Sequence, residues 1–141
     1  MGLTATLPID HYSDRIDTQD TGQSLHPWYM TVTQGGCLIM STVDNKVAKV
    51  RIQDSQIIFN KTVPGIMHPA GVPTLQDGWF VVSDWGTFSL HLVTPDGRWD
   101  RELWRHPYGS KSGDRLWGVS VRGGVCVAVS VEGETHVFDI S

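Results

Sequence analysis

The groups in this 141-residue chain that could take part in acid–base, nucleophilic or metal chemistry are 6 histidines, 15 carboxylates and 2 cysteines. Their spacing decides whether any of them can act together. His26 and His68 each precede a proline, and His68 follows His26 by 42 positions. An imidazole can exchange a proton near neutral pH or bind a metal, but recurrence at a fixed interval argues for a shared packing role in a repeated unit. Asp84 closes an apolar run. A catalytic carboxylate there competes with a simpler use, since an Asp ahead of a turn bonds nearby backbone amides. His91, His106 and His136 fall on separate segments without ligand spacing. Cys37 and Cys126 stand alone, and the absence of a CxxC pair excludes a RING finger or zinc ribbon within this chain. They are expected to be reduced, buried thiols of a cytoplasmic protein rather than a disulfide. No triad, phosphate loop, paired acid or repeated carboxylate cluster stands out. The expectation is a chain without catalysis, metal or cofactor.

Binding chemistry is more visible than catalysis. Residues 98–122 carry six cations against Asp100, Glu102 and Asp114, a local balance of +3. Interleaved with them are Trp99, Trp104, Tyr108 and Trp117. Loops on a rigid scaffold concentrate binding residues, and Trp, Tyr and Arg dominate interface hot spots. The candidate contact set is Arg98, Trp99, Arg101, Trp104, Arg105, Tyr108, Lys111 and Arg115. The competing reading makes the tryptophans packing between sheets and the arginines a solvated rim. Of the binding readings, a protein partner comes before RNA. Cations among aromatic rings do suit single-stranded RNA, but a nucleic-acid footprint is usually stronger than this.

Composition sets the frame for these residues. An apolar fraction of 40% and a charged fraction of 18% describe an ordinary globular chain. The net charge of −4 is concentrated in residues 1–24, where Asp10, Asp14, Asp17 and Asp20 face Arg15. Overall charge therefore gives no support to non-specific nucleic-acid binding. No apolar run approaches a membrane span and no basic-then-apolar leader pattern opens the sequence. In that context the sequon Asn60-Lys61-Thr62 carries little meaning.

The elements that must position the candidate residues are short strands in a repeat. At an offset of 42, Leu25–Met30 falls on Met67–Val72, Gly36 on Gly78, Leu38–Ser41 on Phe80–Ser83, and Ala48–Val50 on Leu90–Leu92. A third copy opens at Leu116-Trp117-Gly118-Val119, with Gly123-Gly124 at the position of Asp77-Gly78. A period of 40–45 residues with several strands per copy is the sequence form of a propeller blade. Within the second copy the expected strands are Ala70–Leu75, Trp79–Asp84, Phe88–Thr94 and Arg98–Trp104. Gln76-Asp77-Gly78, Trp85-Gly86-Thr87 and Pro95-Asp96-Gly97 turn between them. No segment carries sustained helical periodicity. The fold class is all-β: four-stranded antiparallel propeller blades, about three of them, a partial or half propeller. Residues 1–24 read as an N-terminal strand and acidic connector, 25–66 as the first blade, 67–114 as the second with a long loop, and 115–141 as an incomplete third. Residues 3–9 have strand character suited to completing that third blade.

The second copy, His68-Pro69-Ala70-Gly71-Val72 through Asp77-Gly78, Trp79–Asp84, Leu90-His91-Leu92-Val93 and Asp96-Gly97, resembles an NHL repeat. Copy one keeps His26-Pro27 but carries Tyr29 and Thr42 where that pattern has Gly and Asp, and copy three lacks His-Pro. The resemblance implies a recognition module, as in the C-terminal substrate-recognition part of tripartite-motif ubiquitin ligases. It also implies two other readings: RNA recognition, and a fragment of a six-bladed hydrolase or lyase. Three blades do not close a ring by themselves. The expectation is therefore either a longer propeller chain or a homo-oligomer in which two wedges pair about a twofold axis.

Overall fold

The computed structural model describes residues 9–10, 15–17, 24–107, 116–130 and 133–140. Cys37–Thr42 (β5) and Phe80–Asp84 (β8) are buried at every position. A strand covered on both faces reads as a continuous apolar run instead of an alternation, which is how Cys37–Met40 and Phe80–Val82 appear before each strand ends in two polar residues. Pro27–Val32 (β4) alternates half-buried and exposed along its length, as a strand with one covered face does.

The first blade is a four-stranded antiparallel sheet in the order β4, β5, Val47–Arg51 (β6) and Gln56–Lys61 (β7). The second contains β8, Ser89–Val93 (β9) and Trp99–Arg105 (β10). The expected strand Ala70–Leu75 lies beside β8 but is broken up. It is held by single bridges, Pro69 to Asp84 and Thr74 to Phe80, and by bonds such as Ala70 N to Ser83 O at 2.8 Å. Pro69 and Pro73 lack the amide hydrogen that a regular ladder requires, which explains the interruption. Leu116–Arg122 (β11), Val125–Ser130 (β12) and Thr135–Asp139 (β13) form the third sheet. No α-helix occurs among the described residues, and a single 3-10 turn spans Gln76–Gly78.

An additional small sheet precedes these three. Ile9–Asp10 (β1), Arg15–Asp17 (β2) and Ser24–Leu25 (β3) pair antiparallel, with Ile9 opposite Ile16 and Ile16 opposite Leu25. Strand structure therefore occurs inside the stretch His11–Ser24, which its polar composition gives as a connector. The physical reason is the register. Isolated apolar residues are brought level with one another across three strands while the residues between them are polar. Ile9 pairs with Ile16, whereas residues 3–8, the rest of the segment expected to complete the third blade, lie outside the described residues.

The cores lie between successive sheets. Leu25 packs on Leu38, Met40, Ala48, Val50 and Ile52 of the first blade. Ile39, Val47, Val63 and Ile66 meet Val72, Phe80, Val82 and Val93 between the first and second. Val81, Phe88 and Leu90 meet Cys126 and Ala128 between the second and third. Polar ties cross the first of the inter-blade seams: Ser41 Oγ donates to Ala70 O at 2.7 Å, and Lys49 Nζ to Pro95 O at 3.0 Å. Cys37 and Cys126 are buried, unbridged thiols on different blades. Burial pushes the Cys126 thiol up to about 11, which keeps it protonated and unreactive.

Candidate binding surfaces

The repeat sorts its turns to two ends. Turns after the first strand of each copy, around Gly36, Gly78 and Gly123-Gly124, gather at one end. There they line an open cleft of about 590 Å³ together with Leu75, Trp79 and Ile140. The His-Pro segments and the turns after β5 and β8 lie at the other. His26 O accepts from Val43 N at 3.0 Å, and His68 O accepts from Trp85 N at 2.9 Å. The recurring His-Pro position thus supplies a backbone acceptor to the turn following the next strand. Both imidazoles are exposed, so the shared role belongs to the main chain and not to packing of the rings.

Asp84 is a clamp. Its carboxylate is fully buried and accepts three amide hydrogens, from Met67 at 2.8 Å, His68 at 3.1 Å and Gly86 at 2.9 Å. Those bonds use both oxygens to tie the entry to the second blade against the turn after β8. No group of three or more His, Cys, Asp and Glu side chains converges among the described residues.

The sequence-derived contact residues separate into different environments. Arg98 and Trp99 line a cleft of about 480 Å³ at the rim between the first two blades, with Lys61, Thr62, Pro64 and Gly97. Trp99 is 39% exposed, and its indole rests against Gly65, where a Cβ would approach Nε1 to 3.7 Å. Trp99 Nε1 donates to His91 Nδ1 at 3.1 Å, and His91 Nε2 pairs with Ser89 Oγ at 2.8 Å. The outer end of this buried polar chain holds the indole in one orientation. Desolvation pushes the His91 imidazole below its ordinary value, against the attraction of Asp84 and Glu102.

Arg101 and Arg105 lie on β10 beside acids of the same strand. Arg101 Nε is 3.9 Å from Asp100, and Arg105 Nε donates to Glu102 Oε1 at 2.8 Å. Trp104 belongs to a ring cluster between the second and third blades, 4.7 Å from His136 and 4.9 Å from Phe138 between centroids. Its environment is that of inter-blade packing. Tyr108, Lys111 and Arg115 lie outside the described residues. Lys61 was not singled out from the sequence. Only the stacking of the first blade on the second brings it beside Arg98, and no local spacing signals that.

A third cleft, of about 150 Å³, opens at the His-Pro end between the first two blades. Trp28, Asn45, His68, Pro69, Ala70 and Trp85 line it.

Stacked antiparallel sheets with repeat-related turns at each end define a β-propeller protein. No family model matches the chain, and no curated protein does. Solved structures do. The computationally designed Ika4 protein superposes with a TM-score of 0.61 at 12% identity over 99% of this chain and 94% of its own. Virginiamycin B lyase from Staphylococcus aureus gives 0.58 at 13% identity over 94% of this chain, and the Cps50 (Swd1) β-propeller domain from Myceliophteria thermophila gives 0.63 at 14% over 82%. The chain spans 54% of that lyase and 36% of the Cps50 chain. At these identities the likeness establishes the fold alone. Among the described residues no helix is long and apolar enough to cross a membrane.

Proposed function

We propose that this chain is a non-catalytic recognition module that holds a protein partner at the rim cleft between its first two blades. The observation that carries this reading is the trio Lys61, Arg98 and Trp99. A pinned, partly exposed indole sits in a concave site beside two cations that form no ion pair with a described residue. A rigid aromatic anchor beside a cation is the usual make-up of a hot spot, and the pair suits a segment bearing a carboxylate next to an apolar side chain. The NHL-like His68–Gly97 pattern supports the finer reading: the substrate-recognition part of a tripartite-motif-type ubiquitin ligase, in the cytoplasm. Three blades that do not close a ring by themselves support a pairing of two copies, or membership of a longer propeller chain, as the assembled form.

RNA is the second reading, because Lys61 and Arg98 would also take a phosphate while Trp99 stacked a base. Both are tested by titrating a fluorescent single-stranded RNA oligonucleotide and an array of acidic peptides against the wild type and Arg98→Ala/Arg101→Ala/Arg105→Ala. Retention of acidic peptides that is lost on Arg98→Ala or Trp99→Ala supports the protein reading. RNA binding that weakens steeply with salt and collapses in the triple variant replaces it with the nucleic-acid reading. Binding of neither overturns the assignment of this cleft. The hydrolase or lyase reading is checked by whether a saturating lyase assay on a streptogramin B substrate registers turnover.

A further inference from the structure

The small cleft at the His-Pro end has a different chemistry from the rim. Trp28 forms one wall and is 60% exposed, which is unusual for a side chain of that size. Trp85, in the turn after β8, forms another, and Pro69 and Ala70 complete the apolar lining. The repeat itself creates the room: at the offset of 42, Ala70 stands in the second blade where Trp28 stands in the first. Polar groups occur only as Asn45 and His68. Asn45 Oδ1 pairs with His68 Nδ1 at 3.1 Å, linking the turn after β5 to the second blade. With that oxygen accepting, the amide nitrogen of Asn45 is left as a donor and His68 Nε2 as an acceptor. A Cβ on Gly86 would overlap His68 Cδ2, so the present place of the imidazole depends on the Asn45 bond and on the room the glycine leaves. No charged side chain lines the cleft, and the nearby Asp84 carboxylate is already engaged by three amides.

We propose that this cleft binds a proline in an extended segment of a protein partner, the pyrrolidine ring lying between Trp28 and Trp85. The inference rests on the recognition-module reading and names a second contact for it. Size is the first argument. A volume of about 150 Å³ equals roughly five waters at ~30 Å³ each, room for one small ring and its carbonyl. Polarity is the second. Main chain placed among apolar walls strands its amide hydrogen, at the cost of an unmade hydrogen bond. Proline alone has no such hydrogen. The carbonyl preceding it accepts from the Asn45 amide, which the bond between Asn45 Oδ1 and His68 Nδ1 holds in place. A monosaccharide carries hydroxyls around its whole rim and would find partners for them at one edge only. Aromatic-lined grooves that accept preformed polyproline II segments use the same division of labour.

The test follows the indole Nε1–H signals of Trp28 and Trp85 in ¹H–¹⁵N spectra of the full chain, identified through Trp28→Phe and Trp85→Phe. The chain is titrated with a blocked decaproline, a Gly-Ser ten-mer and N-acetylglucosamine. Decaproline is expected to shift both indoles saturably while the other two compounds leave them in place. Asn45→Ala is expected to weaken the interaction at least fivefold and Trp28→Ala at least tenfold. Because Trp28 is largely exposed, its removal leaves the core intact. Gly86→Ala displaces the His68 ring without deleting a lining residue and is expected to weaken binding comparably in a chain whose circular dichroism is unchanged. Absence of shifts at millimolar decaproline, shifts produced by the sugar, or shifts confined to Trp99 would overturn the proposal. Repeating the titration on Arg98→Ala/Trp99→Ala separates the two sites. Acidic-peptide binding lost in that variant alongside a silent cleft leaves the rim reading standing and removes this one.

Discussion

His91 has both ring nitrogens committed. Nδ1 accepts from the Trp99 indole, so Nε2 carries the hydrogen and donates to Ser89 Oγ, which in turn pairs with Thr87 Oγ1 at 2.6 Å. Protonating Nδ1 would set an N–H against an N–H, and burial already holds the imidazole below its ordinary value of 6.5. The unfolded chain then binds a proton that the folded chain does not, and stability falls as pH drops through 6.5 toward the lower folded-state value. Urea unfolding at pH 8 and pH 5 is expected to show this loss, and His91→Gln to shrink it; equal stability at both pH values in the wild type would contradict the linkage. Asp84 is the second residue on which much depends. Removing its carboxylate in Asp84→Ala leaves three amide hydrogens without their acceptor at a buried turn. The expected cost is about 3 kcal/mol, read as a lower urea midpoint. Asp84→Asn should recover part of that, because one oxygen remains to accept.

At the scale of elements, the turns carry the conformational demands. Thr42 and Thr94 each open a turn in the same way, with the hydroxyl donating to the Asp two residues on and accepting the amide four residues on. That bond lowers the Asp44 and Asp96 carboxyls below their usual range. In the second of these turns Gly97 adopts φ +86°, and a Cβ there would stand 2.7 Å from Lys61 Cε and 2.9 Å from the Phe59 ring. Gly97→Ala combines a left-handed backbone with overlap against the first blade, and is expected to cost about 1–3 kcal/mol. Because it pushes Lys61 aside, it should also weaken any ligand of the rim cleft; an unchanged thermal midpoint would show that the seam yields freely. Such turns were legible in the sequence because Pro95-Asp96-Gly97 states its own geometry, and β8 was legible from the aromatic and β-branched run Trp79-Phe80-Val81-Val82 that opens it. Phe88 was not. It sits at φ +54°, a region that bulky residues avoid, and nothing local marks it. The bond from Phe88 N to Asp84 O at 3.0 Å and full burial of the ring against the third blade hold it there. The same distinction separates Trp99 from Trp104. Composition grouped them, but the register along a bulged β10 put one at the rim and the other into the inter-blade ring cluster. The cleft between Trp28 and Trp85 escaped notice because its walls are 57 positions apart and meet only when two blades stack.

For the whole molecule, the decisive feature is a pattern of sheet faces buried in turn. Leu25 covers one face of the first blade, the first blade covers the second, and the second covers the third. The register of β11–β13 places Cys126, Ala128 and Phe138 on the face that meets the second blade. Val125, Val127 and Val137 occupy the opposite face, where Val125 is 41% and Val137 66% exposed. Exposed valines on a sheet face that is covered elsewhere in the same fold indicate a missing neighbour. In the twofold pairing proposed above, a second copy supplies that neighbour by symmetry, and a reciprocal contact closes the assembly. Further blades in the same polypeptide would supply one equally well. Light scattering on a sizing column is expected to give twice the 15.6 kDa chain mass, and Val125→Lys/Val137→Lys to return it to a single copy while the strand signal in circular dichroism persists. Lysine on that face charges the seam yet leaves the blade 2–blade 3 core untouched. A wild-type chain that stays monomeric across micromolar concentrations would remove the twofold assembly and direct the search for the neighbour to additional sequence. A dimer indifferent to both substitutions would place the contact on another surface, the 590 Å³ cleft at the glycine-turn end being the next to examine.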